Sequence, residues 1–304
     1  MLEACGGGAS GGRIALYRKS GYEAVPWRGG LAANTMAGAV SGWQAALQCS
    51  ATLQPPLPMR DLLNDAIWYA ANGYAVSESE AALLAQKQGE LLDNAAFADS
   101  YAPGGRMVRA GEIRKNPALA ATLQHLADRG LGSFYTGAIA DLLLADLAAA
   151  GSPLAAGDFA RHGVEHKAPL HVRLNNAAVY NTPPPTQGVA SLAILELFER
   201  LDVAEGEGFA HVHGLVEATK RAFLFRNAHV GDPRWMSRDA QAFLDDKAGL
   251  AALAAGIDMH RALPWPAPSP PGDTPWIAPT YRTCPALGPP PSLLFHSAPR
   301  VLPP

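Results

Sequence analysis

The sequence predicts an α/β protein dominated by helix, a helical body with one β-hairpin, followed by a tail of another kind. Three observations predict it. Apolar residues recur at helical spacing through about residue 262, two alternating segments flank Asn175-Asn176, and more than half of the 26 prolines fall from Pro264 onward. A recurrence near 3.6 marks one face of a helix and alternation marks a strand, whereas proline removes the N–H that either needs.

Residues 1–30 are a glycine-rich start. Gly6-Gly7-Gly8-Ala9-Ser10-Gly11 spells G-x-G-x-x-G, but a dinucleotide site needs a preceding strand, for which there is no room. Pro58 introduces a helix over Arg60–Asn72, with Leu62, Leu63, Ala66, Ile67 and Ala70 on one face and Gly73 as its cap. Ser77-x-x-Glu80 is a capping-box pattern opening a helix to Leu92, and Tyr101–Gly111 is a turn-rich link. Asn116-Pro117 starts the next helix, an N-cap followed by proline at the first position, with Leu119, Leu123 and Leu126 as its apolar side and Gly130 as its end. Ser133–Ala150 follows, with Ile139, Leu142, Leu143 and Leu147 inward. His171–Leu174 and Ala177–Thr182 form the hairpin, whose Asn175-Asn176 turn tolerates positive φ. Pro183-Pro184-Pro185 ends pairing, and Gly188 opens an apolar helix to Leu201. Phe209–Asn227 is a helix with Val212, Leu215, Val216, Thr219 and Phe223 on one side, before helices over Ser237–Lys247 and Leu250–Ala262.

Composition narrows the function classes. With 48% hydrophobic and 17% charged residues the chain is globular, and a net charge of -3 gives no electrostatic reason for a nucleic-acid or anionic-lipid partner. Cys5, Cys49 and Cys284 are scattered and odd in number, which argues against a zinc site and a disulfide framework. Asp141 and Asp146 interrupt the most leucine-rich helix, so no membrane span is expected, and no signal peptide is visible at Met1. The default compartment is the cytosol.

Several patterns invite chemistry and fall short of it. His162-Gly-Val-Glu165-His166 matches an inverted zinc-protease motif, which works only on a helix; Gly163 and Pro169 make this a loop without metal. His211 and His213 diverge on a helix and read as surface residues. Ser41 lacks the strand-to-helix elbow of a serine hydrolase, and Lys220-Arg221 with Arg226 reads as a solvated basic face.

Four segments combine: Leu31–Trp43, Asn181–Gly188, Glu217–Phe223 with Gly231-Asp232-Pro233, and Gly272-Asp273-Thr274. In this order and spacing the chain resembles the large subunit of a gamma-glutamyltransferase (gamma-glutamyltranspeptidase, or glutathione hydrolase), from about Gly29 to Trp276. Asn72–Ser77 and Ser133–Ala140 are also similar to that family, and Pro183–Gly188 is the most telling segment. The resemblance implies an N-terminal-nucleophile hydrolase of αββα sandwich fold, here an incomplete and mostly helical portion. It implies cleavage before Thr274, whose hydroxyl is the catalytic nucleophile and whose freed amine is the base. The substrate implied is glutathione or another γ-glutamyl compound, its acyl group passing to water or an amine, with no metal or organic cofactor. A small subunit is the expected partner, and many relatives are periplasmic or secreted.

The resemblance has departures. An arginine that clamps the substrate carboxylate in relatives would fall near Gly7, and Arg13 lacks its context. About thirty residues follow Thr274, where relatives continue with a small subunit. The expected organisation is a divergent start at 1–30, a helical large-subunit region at 31–272, and a proline-rich divergent tail without period at 273–304. The sequence reads as truncated, inactive alone, or alternatively as a non-catalytic helical domain that needs a partner.

Overall fold

A computed structural model describes residues 1–265 and the backbone of two strands beyond them, Ile277–Thr280 and Ser292–His296. The chain divides into two compact units, one of Leu2–Glu165 and one of Met1 with His166–Pro304.

The first unit runs β1 (Leu2–Glu3), α1 (Ile14–Lys19), α2 (Ala39–Ser50), α3 (Met59–Asn72), β2 (Tyr74–Ala75), α4 (Glu78–Leu91), α5 (Ala95–Tyr101), β3 (Ile113–Arg114), α6 (Pro117–Arg129), α7 (Ala138–Ala149) and α8 (Ala156–Arg161). The caps form where the sequence places them. Ser77 accepts from the Glu80 N–H at 3.1 Å, and Asn116 Oδ1 accepts from the Leu119 N–H at 3.0 Å. At the end of α3 the Asn72 amide donates to Trp68 O at 3.0 Å, and Gly73 takes φ +95, a conformation costly for any residue with a Cβ, while its N–H reaches Tyr69 O at 2.8 Å.

The apolar stripes are narrower than the sequence spacing suggests. On α3, Leu62 is exposed and the inward positions are Leu63, Ile67 and Ala70. On α6, Leu119 is exposed while Leu126 is buried with Val40, Leu131 and Ile139. Met36, Ala140 and Phe159 form a second cluster, and Val76, Leu84 and Val108 a third. β2 and β3 pair antiparallel over two residues each, a strand pair absent from the sequence reading. Leu131–Ala149 has the apolar composition of a membrane span. Its backbone is instead a 3-10 turn (Leu131–Phe134) followed by the twelve-residue α7, about 18 Å long, short of a bilayer core. Cys49 takes part in a disulfide and Cys5 keeps its thiol, a single bond rather than a framework among the described residues.

The second unit contains the hairpin of β5 (Leu170–Arg173) and β6 (Ala178–Asn181), preceded by β4 (Glu165–His166) at the boundary between the units, then α9 (Gly188–Glu199), α10 (Phe209–His229), α11 (Ala240–Asp245) and α12 (Lys247–Ala255). The hairpin register pairs Val172 with Val179, both buried. Its turn differs from expectation, because neither Asn175 nor Asn176 has positive φ. The turn is held by Leu174 N–H to Ala177 O at 2.8 Å and by Asn175 N–H to Glu199 Oε1 at 2.7 Å. The tail, read as lacking period, contains β7 (Ile277–Thr280) and β8 (Ser292–His296), paired antiparallel.

α9 is the centre of this unit, with Val189, Leu192, Ala193 and Leu197 wholly buried against the hairpin, α10, α11 and α12. α10 buries the face opposite to the one its larger side chains suggest. Val212, Leu215 and Val216 are exposed, and Gly214, Ala218, Ala222 and Phe225 are buried. Small residues at i, i+4 and i+8 let two helices approach closely, and that contact outweighs the bulkier stripe.

Among the described glycines of the second unit, Gly188 is the one with least room for a side chain. A Cβ there would lie 2.1 Å from the Thr182 carbonyl oxygen, a backbone atom that cannot swing aside, whereas a Cβ at Gly206 meets nothing within 4 Å. Gly188→Ala is expected to destabilise by about 3 kcal/mol and Gly206→Ala by less than about 0.5 kcal/mol. Urea unfolding of both variants followed by circular dichroism checks the contrast.

Candidate functional site

The triple-proline segment turns the chain from β6 into α9. Three consecutive prolines offer no N–H to a ladder, so pairing stops at Asn181. The polar groups released there are answered locally: Thr182 N–H donates to Asn181 Oδ1 at 2.8 Å, and Thr186 Oγ1 lies 3.0 Å from both Thr182 O and Pro183 O. Thr182 and Thr186 hydroxyls meet at 2.6 Å. Gln187 accepts from Arg226, whose guanidinium lies over the Phe223 ring at 3.8 Å, which ties the turn to α10.

Beside this turn is an open cavity of about 380 Å³, lined by Pro183 and Pro184, by Pro233, Met236 and Arg238 of the loop before α11, and by Lys167. Asp232 starts that loop. Its carboxylate accepts from the Arg234 N–H and binds the Arg234 guanidinium, which holds its pKa down at about 2. The cavity is therefore prolyl on two sides, with two cationic residues, Lys167 and Arg238, and one carboxylate, Asp239, in its lining.

On α10, Glu217 is 1% exposed and bonded on both oxygens. Lys220 Nζ donates to Oε1 at 2.6 Å and Leu263 N–H donates to Oε2 at 3.1 Å. Lys220 Nζ also donates to Leu263 O at 2.9 Å. Burial alone would push the Glu217 carboxyl up, but the ammonium and the peptide N–H outweigh it and hold it below the usual range. One turn along each way, His213 Nε2 donates to Asp258 O at 2.9 Å and Arg221 to Gly256 O at 2.6 Å. The side read as solvated and basic thus binds the returning backbone of residues 256–263.

In the first unit a serine and a histidine distant in sequence meet, Ser41 Oγ and His162 Nε2 at 2.7 Å. The hydrogen bonds run one way when every group is satisfied. Tyr135 O–H donates to Ala37 O at 2.8 Å, Ser41 N–H to Tyr135 Oη at 2.9 Å, and Ser41 O–H to Gly38 O at 2.7 Å. A carbonyl only accepts, so the serine proton goes to Gly38 and His162 donates its Nε2 proton to Ser41. This network closes the first turn of α2 and leaves the imidazole with no proton to take from the serine. His162 follows α8 as an extended residue and Glu165–His166 is strand, so H-x-x-E-H is not displayed on a helix.

Comparison with known proteins gives these motifs a common origin. A family model described as gamma-glutamyltranspeptidase matches residues 2–283. The chain belongs to the gamma-glutamyltranspeptidase family. An oxamate amidohydrolase proenzyme of Klebsiella pneumoniae is 42% identical over 271 residues, covering 89% of this chain and 51% of that protein. A glutathione hydrolase-like proenzyme of Bacillus subtilis is 32% identical over 245 residues, covering 80% of this chain and 46% of that protein. The chain thus spans about half the length of the curated relatives it matches. Among solved structures, the gamma-glutamyltranspeptidase of Helicobacter pylori is similar with a TM-score of 0.76 at 22% identity, over 86% of this chain and 76% of that one. The cephalosporin acylase of Bacillus halodurans gives 0.76 at 26% identity, over 84% and 48%. The described residues therefore carry the gamma-glutamyltranspeptidase fold.

Within that family framework, Thr274 lies outside the described residues. Asn181–Gly188 and Gly231-Asp232-Pro233 converge on one cavity, and Glu217–Phe223 lies on the helix tied to it through Arg226. The role of Lys220 and Glu217 toward Leu263 was missed in the sequence, where a carbonyl or an N–H awaiting a partner leaves no mark. Arg13 sits exposed at the start of α1.

Burial depresses the His162 pKa. Its unfolded form, near 6.5, takes up a proton before the folded form does, so stability is complete above about pH 6.5 and falls as pH drops toward the folded pKa. The slope is at most about 1.4 kcal/mol per pH unit for one proton. Urea midpoints at pH 7.5 and pH 5.5 are expected to differ less in His162→Phe than in the wild type.

Proposed function

We propose that this chain supplies the nucleophile of an amide-cleaving acyltransferase by releasing Thr274 as a new N-terminus. The supporting observation is that the family match runs through residue 283 and so includes Gly272-Asp273-Thr274. In the cut, Thr274 Oγ attacks the Asp273 carbonyl, the peptide nitrogen leaves as an amine, and water hydrolyses the resulting ester. Asp273 then carries a carboxylate and Thr274 a free α-amine. That amine, with a reference pKa near 8, takes the hydroxyl proton as Oγ attacks the substrate amide and returns it to the departing nitrogen. Water or an acceptor amine releases the acyl group.

The substrate is a small amide that also bears a carboxylate. A γ-glutamyl amide follows from the family. An oxamate-type amide is the second reading, favoured by the higher identity to a protein named oxamate amidohydrolase proenzyme, 42% against 32% for the glutathione hydrolase-like one. Lys167 and Arg238 in the cavity lining suit either carboxylate, while the Asp239 carboxylate in the same lining is engaged by the Ala242 N–H at the start of α11. The partner is a small subunit, and the exposed apolar row Phe209, Val212 and Val216 on α10 supports a protein contact. The fold of the assembled enzyme is the αββα sandwich.

Mass spectrometry of the purified chain is expected to show a fragment beginning at Thr274, absent from Thr274→Ala. Mixing the chain with the C-terminal half of the Klebsiella relative should give turnover, and ammonia release from oxamate against anilide release from a γ-glutamyl anilide ranks the two substrates. A chain that remains uncut under all these conditions overturns the reading.

A further inference from the structure

We infer that the outer edge of β6 is the docking site for one added β-strand, supplied by the small subunit, an inference that rests on the two-subunit reading above. The phase of the hairpin decides which backbone groups face outward. Gln241 Oε1 accepts from the His171 N–H at 2.9 Å and Gln241 Nε2 donates to His171 O at 3.0 Å, so both groups of His171 point away from β6. The turn bond from Leu174 N–H to Ala177 O agrees, since bonded and non-bonded pairs alternate along an antiparallel ladder. His171 opposes Tyr180 and Arg173 opposes Ala178, so Tyr180 and Ala178 direct their N–H and C=O groups away from β5. Among the described residues, none of these four groups has a hydrogen-bond partner.

The two edges of the hairpin differ. Along β5 lies α11, whose Gln241 imitates a neighbouring strand at His171, and Arg173 puts an exposed charge on the rest. Ala178-Val179-Tyr180-Asn181 of β6 carries no charge, no proline and no bulge, the devices that keep an edge from pairing. The edge closes beyond Tyr180, where Thr182 donates its N–H to Asn181 Oδ1 at 2.8 Å and its C=O accepts from Thr186 Oγ1 at 3.0 Å. The opening therefore fits a short extended segment that pairs with Ala178 and Tyr180 through residues two positions apart. The residue between them falls beside Val179, on the face that packs against α9, and that placement asks for an apolar side chain. The core on that face includes Ile194 and Leu195, which are only partly buried. A small subunit is the occupant for two reasons. This chain covers 51% and 46% of the two relatives described above, and the sandwich proposed for the assembled enzyme needs sheets wider than a two-stranded hairpin, which is marginal alone.

The test co-expresses the full chain with the C-terminal half of the Klebsiella relative and reads residue-resolved amide exchange. In the chain alone the Ala178 and Tyr180 amides are expected to exchange fast and the Val179 amide slowly. In the complex the first two should slow roughly tenfold or more. Ala178→Pro removes one outward N–H and no ladder bond, and should weaken the complex roughly tenfold or more. Ala178→Val keeps the N–H and should bind like wild type. Tyr180→Pro repeats the test at the second position should Ala178→Pro fail to fold, and exchange in the wild type decides the point should neither fold. Unchanged exchange at Ala178 and Tyr180 within the complex overturns the site, as does full binding by a folded proline variant. Absence of any complex overturns it too. Slowing of the same amides as the chain alone is concentrated identifies a second copy as the occupant and overturns the small subunit. Release of a fragment beginning at Thr274 is scored separately. A chain that docks but is never cut loses the nucleophile reading and keeps the edge, and a chain that is cut without docking does the reverse.

Discussion

The second unit depends on one backbone contact, the approach of Gly188 to the Thr182 carbonyl. Because no side chain intervenes, α9 begins immediately beside the strand it packs on, and the chain needs only a proline-stiffened turn to get there. That placement allows α9 to be buried on nearly every side. Glu196 on its inward face is the price: its Oε1 takes Arg200 at 2.7 Å and Lys247 at 3.0 Å, an ion-paired arrangement that links α9 to α12.

The same close packing explains α10. Gly214, Ala218 and Ala222 let it lie against its neighbours, with Phe225 stacked on Phe243 at 3.7 Å between centroids. Its charged residues then divide by neighbourhood rather than by type. Glu217 and Lys220 face the returning chain, and Arg226 faces the proline turn. A single helix thereby connects the cavity beside the prolines to the strand of backbone that precedes Thr274.

What could be read from the sequence was what short-range chemistry decides. Ser77 and Asn116 cap their helices because the groups they serve are three residues away, and Pro183–Pro185 ends a strand whatever surrounds it. The motif order identified the family because it samples the whole chain. The face of α10 was misread because Val212, Leu215 and Val216 are larger than Gly214, Ala218 and Ala222, and size in a helical wheel does not reveal how near a neighbour will come. The Asn175-Asn176 turn was located but not its backbone, since Glu199 supplies the bond that a left-handed residue would otherwise replace. Ser41 and His162 meet across 121 positions, and nothing local to either announces the other.

The end of α3 bears on how the protein ages. Asn-Gly is the dipeptide most prone to spontaneous deamidation, in which the glycine nitrogen attacks the asparagine side-chain carbonyl and closes a succinimide ring. In this chain both partners of that attack are occupied. The Asn72 amide is turned back to Trp68 O, and the Gly73 N–H points along the helix to Tyr69 O. Ring closure would require the last turn to unwind first. The helix cap thus acts as a chemical preservative, and Asn72 keeps its amide for as long as α3 stays wound.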